Sequence, residues 1–271
     1  MYANNFINQF VLLCFMKTTT EKIKSMKGKE KIAVLTAYDY STAKAMDECN
    51  IDMILIGDSL GMVVLGYENT LSVTMEDIMR HTGAVARGTK NALIVADMPT
   101  NSYNDKEMAA LNAEALIKSG ADTVKIENEP EIAKFLVENK IDVMGHIGLT
   151  PQTATNFKVQ GKDKETADKL IRLAKELEKA GCYSIVLECV PAELAKKITE
   201  SVSIPTIGIG AGPYCDGQVL VTNDILGLYE RFSPKFVKKY ANLGQEMKNA
   251  FKDYIKDVKE SKFPEDGHSF H

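Results

Sequence analysis

Apolar and polar positions along the chain fall into a repeating order. A short run rich in β-branched residues is followed by a longer stretch with apolar residues at three- and four-residue spacing. The short runs predict strands over Ile32–Ala37, Met53–Gly57, Ala92–Ala96, Thr123–Ile126, Val143–His146, Ser184–Leu187, Thr206–Ile209 and Val219–Thr222. The longer stretches predict helices over Tyr40–Cys49, Glu76–Thr89, Asp105–Ser119, Glu129–Asn139, Lys164–Lys179 and Ala192–Ser201. Local punctuation agrees. Thr74 stands ahead of Glu76 and Asp77 as an N-cap, and Ser119-Gly120 and Ala180-Gly181 close helices at a residue that accepts left-handed backbone. Beyond the eighth strand, Phe232–Tyr254 reads as a further helical region interrupted around Ala241–Gly244, and Asp257–His271 as a polar tail.

Eight strands alternating with helices predict an α/β fold with a parallel sheet. Eight is also the number that closes into a (β/α)8 TIM barrel, here as a single domain. An open doubly wound sheet is the alternative. It would want a glycine-rich loop after the first strand, and this chain has Thr36-Ala37-Tyr38-Asp39 there. The length of 271 residues and 45% hydrophobic content suit the barrel. The net charge of −4, with no basic stripe, argues against nucleic acid as a partner. Five cysteines, an odd number with no CxxC spacing, read as thiols in a reducing cytoplasm. No run reaches the roughly 20 apolar residues of a membrane span. Phe6–Met16 is too short, and residues 1–10 lack the basic groups of an export signal. Residues 1–15 read as an N-terminal extension outside the catalytic machinery, with a short packing helix as the competing reading. Residues 16–271 read as the barrel with its C-terminal helical region.

Active sites of such barrels lie at the C-terminal ends of the strands. Acidic residues stand there on four strands: Asp58, Asp97, Glu127 and Glu188. His146 ends the fifth strand, and Lys125 and Glu127, two apart, share one face of the fourth. Charges facing into a barrel mouth need partners. Asp58, Asp97 and Glu127 come from consecutive strands, and three hard oxygen donors suit Mg²⁺. Such an ion would act as a Lewis acid on a 2-oxo acid. The plainer reading of any one of these acids is a cap for the following helix, and the grouping is what favours a site. His81 reads as a surface or interface residue. Tyr38 and Asp39 read equally well as site-lining or capping groups. Gly208, Gly210 and Gly212 read as a tight turn lining the mouth. Cys189 has no apparent base and reads as no nucleophile.

Segments from about Lys31 to Phe270 carry a resemblance. They include Leu35-Thr36-Ala37-Tyr38-Asp39, Gly57-Asp58-Ser59-Leu60-Gly61-Met62, Ala96-Asp97-Met98-Pro99 and Val124-Lys125-Ile126-Glu127. Gly145-His146-Ile147-Gly148-Leu149-Thr150-Pro151-Gln152, Lys158-Val159-Gln160-Gly161, Leu187-Glu188-Cys189-Val190-Pro191, Gly208-Ile209-Gly210-Ala211-Gly212 and Cys215-Asp216-Gly217-Gln218-Val219-Leu220-Val221 follow in order. In these the chain resembles the 3-methyl-2-oxobutanoate (ketopantoate) hydroxymethyltransferase family.

The resemblance implies a (β/α)8 barrel, bound Mg²⁺ and transfer of a one-carbon unit from 5,10-methylenetetrahydrofolate to 3-methyl-2-oxobutanoate. The product would be 2-dehydropantoate, on the way to pantothenate and coenzyme A. It implies metal-associated carboxylates at Asp58, Asp97 and Glu127, and substrate contacts from Asp58, Ser59, Asp97, Lys125 and His146. Glu188 would be the catalytic acid/base, acting either on C3 or on the folate. It further implies a cytoplasmic homo-oligomer, typically of ten subunits. Two departures stand out: Asn128-Glu129 and Asn156-Phe157 occupy places where Gly-Gly and Gly-Tyr are common. The competing enzyme is a Mg²⁺-dependent lyase of the isocitrate-lyase or phosphoenolpyruvate-mutase kind, whose Lys-Cys-Gly-His type motif this sequence lacks. A barrel kept only as a scaffold is the non-enzymatic alternative.

Overall fold

The computed structural model describes residues 17–152 and 158–271. The reading of residues 1–15 as an extension, and the Asn156-Phe157 departure, lie outside the described residues. Eight parallel strands close into a barrel in sequence order. They are β1 (Ile32–Thr36), β2 (Met53–Ile56), β3 (Leu93–Asp97), β4 (Thr123–Glu127), β5 (Val143–Gly148), β6 (Ser184–Glu188), β7 (Thr206–Ile209) and β8 (Gly217–Leu220). Closure is made by β8 against β1, with Ile32 opposite Gly217 and Val34 opposite Val219. The helices are α1 (Thr20–Met26), α2 (Tyr40–Glu48), α3 (Leu60–Val63), α4 (Met75–Gly88), α5 (Lys106–Lys118), α6 (Pro130–Glu138), α7 (Lys164–Lys179) and α8 (Ala192–Ser201). No helix among the described residues is long and apolar enough to cross a membrane.

Alternation of side chains along each strand divides the apolar residues into two cores. One set, including Ile54, Ile94, Val124 and Ile185, packs against helix residues such as Ile78, Leu116, Leu136 and Leu177. The other set, including Val34, Met53, Val95, Met144, Val186 and Val219, fills the barrel interior. Up four consecutive strands, β3 to β6, the interior series ends in charged or titratable residues. Leu93 and Val95 lead to Asp97, Thr123 leads to Lys125 and Glu127, Met144 to His146, and Val186 to Glu188. The lower layers are a packed core, and the top layer holds the charged groups.

Three details differ from the sequence pattern. First, α1 was not anticipated. Thr19 caps it by accepting from the Lys22 amide at 3.2 Å. Ile23 and Met26, one turn apart, join the interior core. Lys27 then anchors the chain to Asp216 at 2.8 Å. Second, β8 starts at Gly217 and not at Val219. Gly217 and Gln218 carry no apolar signal, yet their backbones pair with β1 and β7. Third, the helix expected from Phe232 does not form before Leu243.

The barrel ends at Val221, and Thr222–His271 form a compact unit of their own. That unit contains α9 (Thr222–Ile225) and α10 (Leu243–Lys259). Between them Pro234 lacks a donor and restricts Ser233, and the amides of Tyr240 and Ala241 go back to the Ile225 carbonyl. Helix α10 buries none of its residues. Leu243, Met247, Phe251, Tyr254, Ile255 and Val258 lie exposed along it at helical spacing. The tail after α10 is partly organised: the Phe263 ring lies 5.7 Å from Tyr254 and 5.2 Å from His268.

Candidate active site

The pleat and the strand register bring the predicted residues to one end of the barrel. Asp97 is in register with Lys125, Glu127 with His146, and Gly148 with Glu188. Each of these pairings places two polar side chains, or a side chain and a loop, across one inter-strand spacing. Lys125 Nζ lies 2.6 Å from Asp97 Oδ1 and 3.4 Å from His146 Nδ1. His146 in turn lies between two carboxylates, with Nδ1 3.2 Å from Glu127 Oε1 and Nε2 3.3 Å from Glu188 Oε2. The last approach is close but not aligned as a hydrogen bond. Asp58, just past β2, donates its amide to Asp97 Oδ2 at 3.0 Å. Asp58, Asp97, Lys125, Glu127 and His146 are all buried, whereas the Glu188 side chain is 18% exposed.

The electrostatics follow from this packing. Burial, and then the Asp97 carboxylate, push the Asp58 pKa up. Burial raises Asp97 as well, against the opposing pull of Lys125. For Lys125, burial disfavours the charge, but Asp97, Glu127 and Asp58 outweigh it and hold the ammonium protonated. Burial and the Lys125 charge likewise oppose a charged His146. The Glu127 and Glu188 carboxylates overcome both and hold the imidazole pKa up at about 9. Glu127 is kept below the usual range: burial would raise it, but His146 and Lys125 dominate.

Ser59 begins the turn into α3. Its hydroxyl is 2.9 Å from the Tyr38 hydroxyl. Gly57 makes room for this, since a Cβ there would lie 2.9 Å from Ser59 Oγ and 3.4 Å from Asp97 Oδ2. The two readings of Tyr38 and Asp39 separate cleanly. Tyr38 is buried and lines the site, while Asp39 caps α2 by accepting from the Thr42 amide at 2.9 Å. His81 is half-buried, with Nδ1 2.5 Å from the Tyr38 carbonyl, so it supports the site from behind. Burial, then Glu188, push the Cys189 thiol up to about 11, a direction that disfavours the thiolate.

Two contributors were not singled out from the sequence. Gln152 donates to Asp58 Oδ2 at 3.1 Å and to the Met98 carbonyl at 3.0 Å, and Tyr103 donates to Gln152 Oε1 at 2.6 Å. Gln152 stood only as the last residue of a segment carrying the resemblance, and Tyr103 as an aromatic residue in a polar loop.

The site has the chemistry of a divalent-cation binder. Four carboxylates face two cationic groups in a nearly dry space, and such a surplus is unfavourable unless neutralised. Mg²⁺ takes one or two carboxylates and completes its shell with water and ligand oxygens. The adjacent Asp58 and Asp97 fit that requirement. Among the described residues no group of three or more His, Cys, Asp or Glu side chains stands ready-made to hold a metal ion. In the strand register Glu127 sits opposite His146, and Lys125 occupies the place opposite Asp97.

The departure at Asn128 also has a structural reason. Asn128 takes φ of 56°, a left-handed conformation that glycine adopts freely and Asn tolerates better than other side chains. Its amide side chain adds a bond to Thr150 Oγ1 at 3.2 Å.

Solved structures share the fold. A 2,3-dimethylmalate lyase of the phosphoenolpyruvate mutase/isocitrate lyase superfamily superposes with a TM-score of 0.61 at 14% identity, covering 94% of this chain and 89% of its own. A phosphonopyruvate hydrolase in complex with oxalate and Mg²⁺ gives 0.61 at 10% identity, covering 93% of each chain. At these identities the likeness is one of fold alone. Sequence relatives are far nearer. The 3-methyl-2-oxobutanoate hydroxymethyltransferases of Clostridium botulinum and Enterococcus faecalis are each 56% identical over 264 residues, covering 94% of this chain and 96% of theirs. The model of the ketopantoate hydroxymethyltransferase family matches residues 17–266. That span takes in the whole barrel and every polar residue at its mouth, and the chain therefore belongs to the ketopantoate hydroxymethyltransferase family.

Proposed function

We propose that this hydroxymethyltransferase moves a one-carbon unit from 5,10-methylenetetrahydrofolate to 3-methyl-2-oxobutanoate with the help of Mg²⁺. The product is 2-dehydropantoate, a precursor of pantothenate and coenzyme A. The observation that carries this reading is the linked series at the mouth of the barrel, the buried Asp97, Lys125, Glu127 and His146 with the partly exposed Glu188.

Held by Asp58 and Asp97, with Glu127 as the third associated carboxylate, Mg²⁺ would supply Lewis-acid polarisation of the ketone and so acidify the C3 proton. The chain's own groups do the rest. Lys125, kept charged by its acidic neighbours, pairs with the oxo-acid carboxylate or the negative charge that develops on the ketone oxygen. Ser59, oriented by Tyr38, offers its hydroxyl to the substrate. Glu188 accepts the C3 proton. It is the most accessible of the four carboxylates, so a substrate can reach it. His146 stays protonated at neutral pH and holds Glu188 from behind. Water releases the folate methylene carbon as formaldehyde, its two protons going to the two folate nitrogens whose bonds to that carbon break. C3 then bonds to the formaldehyde carbon, and the C=O electron pair goes to its oxygen, which takes the proton that Glu188 removed.

Formation of 2-dehydropantoate from the oxo acid, methylenetetrahydrofolate and Mg²⁺ tests the reaction. Deuterium exchange at C3 without folate tests the role of Glu188. Glu188→Gln should lose both exchange and turnover. Normal exchange with lost turnover would move Glu188 to the folate half-reaction, and survival of both would remove it from the site.

The enzyme acts as a homo-oligomer, of ten subunits by resemblance, and the exposed apolar stripe of α10 supports association. A cytoplasmic setting is supported by the free thiols at Cys49, Cys182, Cys189 and Cys215. Residues 1–15 stand outside the chemistry, a reading supported by the family match beginning at residue 17.

A further inference from the structure

We infer that Gln152 is a positioning residue for Asp58, presenting that carboxylate to the cation through an amide whose orientation Tyr103 sets. The inference rests on the reading of Asp58 and Asp97 as the cation-holding pair. Gln152 is 6% exposed and comes from the loop after β5. It reaches groups on two other connections: Asp58 after β2, and the Met98 carbonyl and Tyr103 after β3. Its own backbone amide points at Glu127 Oε2 at 3.4 Å.

The amide has one sensible orientation. Both N–H groups meet acceptors, Asp58 Oδ2 at 3.1 Å and the Met98 oxygen at 3.0 Å. A flipped amide would set its oxygen against those two acceptors, leaving three acceptors facing one another without a proton. Tyr103 removes the remaining freedom by donating to Oε1 at 2.6 Å. Burial pushes the phenol pKa well up, so the hydroxyl remains a donor.

The chemical type matters as much as the geometry. Asp97 is steadied by a full positive charge on Lys125. A second ammonium or guanidinium beside Asp58 would compete with a cation for the same carboxylate. A neutral amide satisfies one oxygen of Asp58, fixes its plane and adds no repelling charge. Partners that orient ligands in this way typically change metal affinity by about 10- to 100-fold when removed.

Two measurements test this on the full chain. The first is Mg²⁺ affinity by titration calorimetry for Gln152→Met and Tyr103→Phe, with circular dichroism as the check on folding. The dissociation constant should rise about 10- to 100-fold in Gln152→Met, and by a smaller factor in Tyr103→Phe, which keeps the amide but frees its orientation. A wild-type dissociation constant in folded Gln152→Met overturns the inference. If that variant does not fold, a wild-type constant in Tyr103→Phe overturns it. The second is a double-mutant cycle of Gln152→Met with Asp58→Asn, read as Tm in chelator. A shift in the double variant clearly smaller than the two single shifts combined supports the Gln152–Asp58 link without any metal, and additive shifts overturn it. A wild-type chain that binds no Mg²⁺ yet shows the coupling would remove the cation reading and leave the positioning of Asp58 standing.

Discussion

Asp47 offers a direct test of how the barrel is held at the end away from the chemistry. It lies near the C-terminal end of α2 and is buried. Its carboxylate accepts four hydrogen bonds from the turn leading into β3. Oδ1 takes the amides of Asn91 and Ala92, both at 2.8 Å, and Oδ2 takes the Lys90 amide and Asn91 Nδ2, both at 3.0 Å. Asp47→Asn keeps the shape but replaces one oxygen by an NH₂ group. Whichever way the amide turns, two of the four donors then face a donor. Hydrogen bonds to a charged group contribute about 1.5–3 kcal/mol each, so the loss of two should cost about 3–6 kcal/mol. At about 2–4 °C per kcal/mol for a domain of this size, Tm should fall by about 10 °C. The assay is urea and thermal unfolding followed by circular dichroism, with turnover per folded molecule as the control. Turnover should not change, because Asp47 sits opposite the strand ends that carry the site. The pH dependence has a definite sign. Burial would raise the Asp47 pKa, but the amides of Ala92, Asn91 and Lys90 outweigh it and lower it. Its stabilisation is therefore complete above the ordinary Asp value of about 3.9 and is lost as pH falls through the lower folded value. The gap between wild type and Asp47→Asn should narrow only in that acid range. A loss under about 1 kcal/mol at neutral pH would refute the reasoning, since four such bonds could not then be holding the turn.

Three further outcomes follow from the site. Lys125→Ala should lower kcat/KM by about 100- to 1000-fold, the scale of one lost transition-state donor, and steady-state kinetics showing wild-type values would remove Lys125 from the chemistry. The His146 pKa is raised to about 9, so its contribution to stability is full below its ordinary value of about 6.5 and is lost as pH rises through about 9. Comparing wild type with His146→Gln by urea unfolding in chelator from pH 6 to 10 should show a gap that closes at the alkaline end, and a constant gap would refute the assignment. At Asn128, Gly should alter stability by less than about 1 kcal/mol, whereas Val should cost about 1–2 kcal/mol or more for the left-handed backbone, and equal unfolding midpoints for the two variants would refute the account of that turn.

Much of this protein was legible in the chain itself, for local reasons. Strand and helix periods are written in nearest-neighbour spacing, and eight alternations leave few ways to pair the strands. The same period of two told that Lys125 and Glu127 share a face, and the strand-end positions of Asp58, Asp97, His146 and Glu188 put them at one mouth. Helix α1 and the true start of β8 were not legible, because Ile23 and Met26 form too short a pattern and Gly217 pairs through backbone alone. The Phe232 helix was misread because its apolar spacing says nothing about where the Tyr240 and Ala241 amides find acceptors.

What only the tertiary structure decided is which charges meet. Register placed Lys125 against Asp97 and His146 against Glu127. It also brought Gln152 and Tyr103, 49 residues apart, to the back of Asp58. Such contacts depend on strand stagger and loop path around a closed barrel. These are properties of the whole assembly of strands, and no local window of sequence contains them.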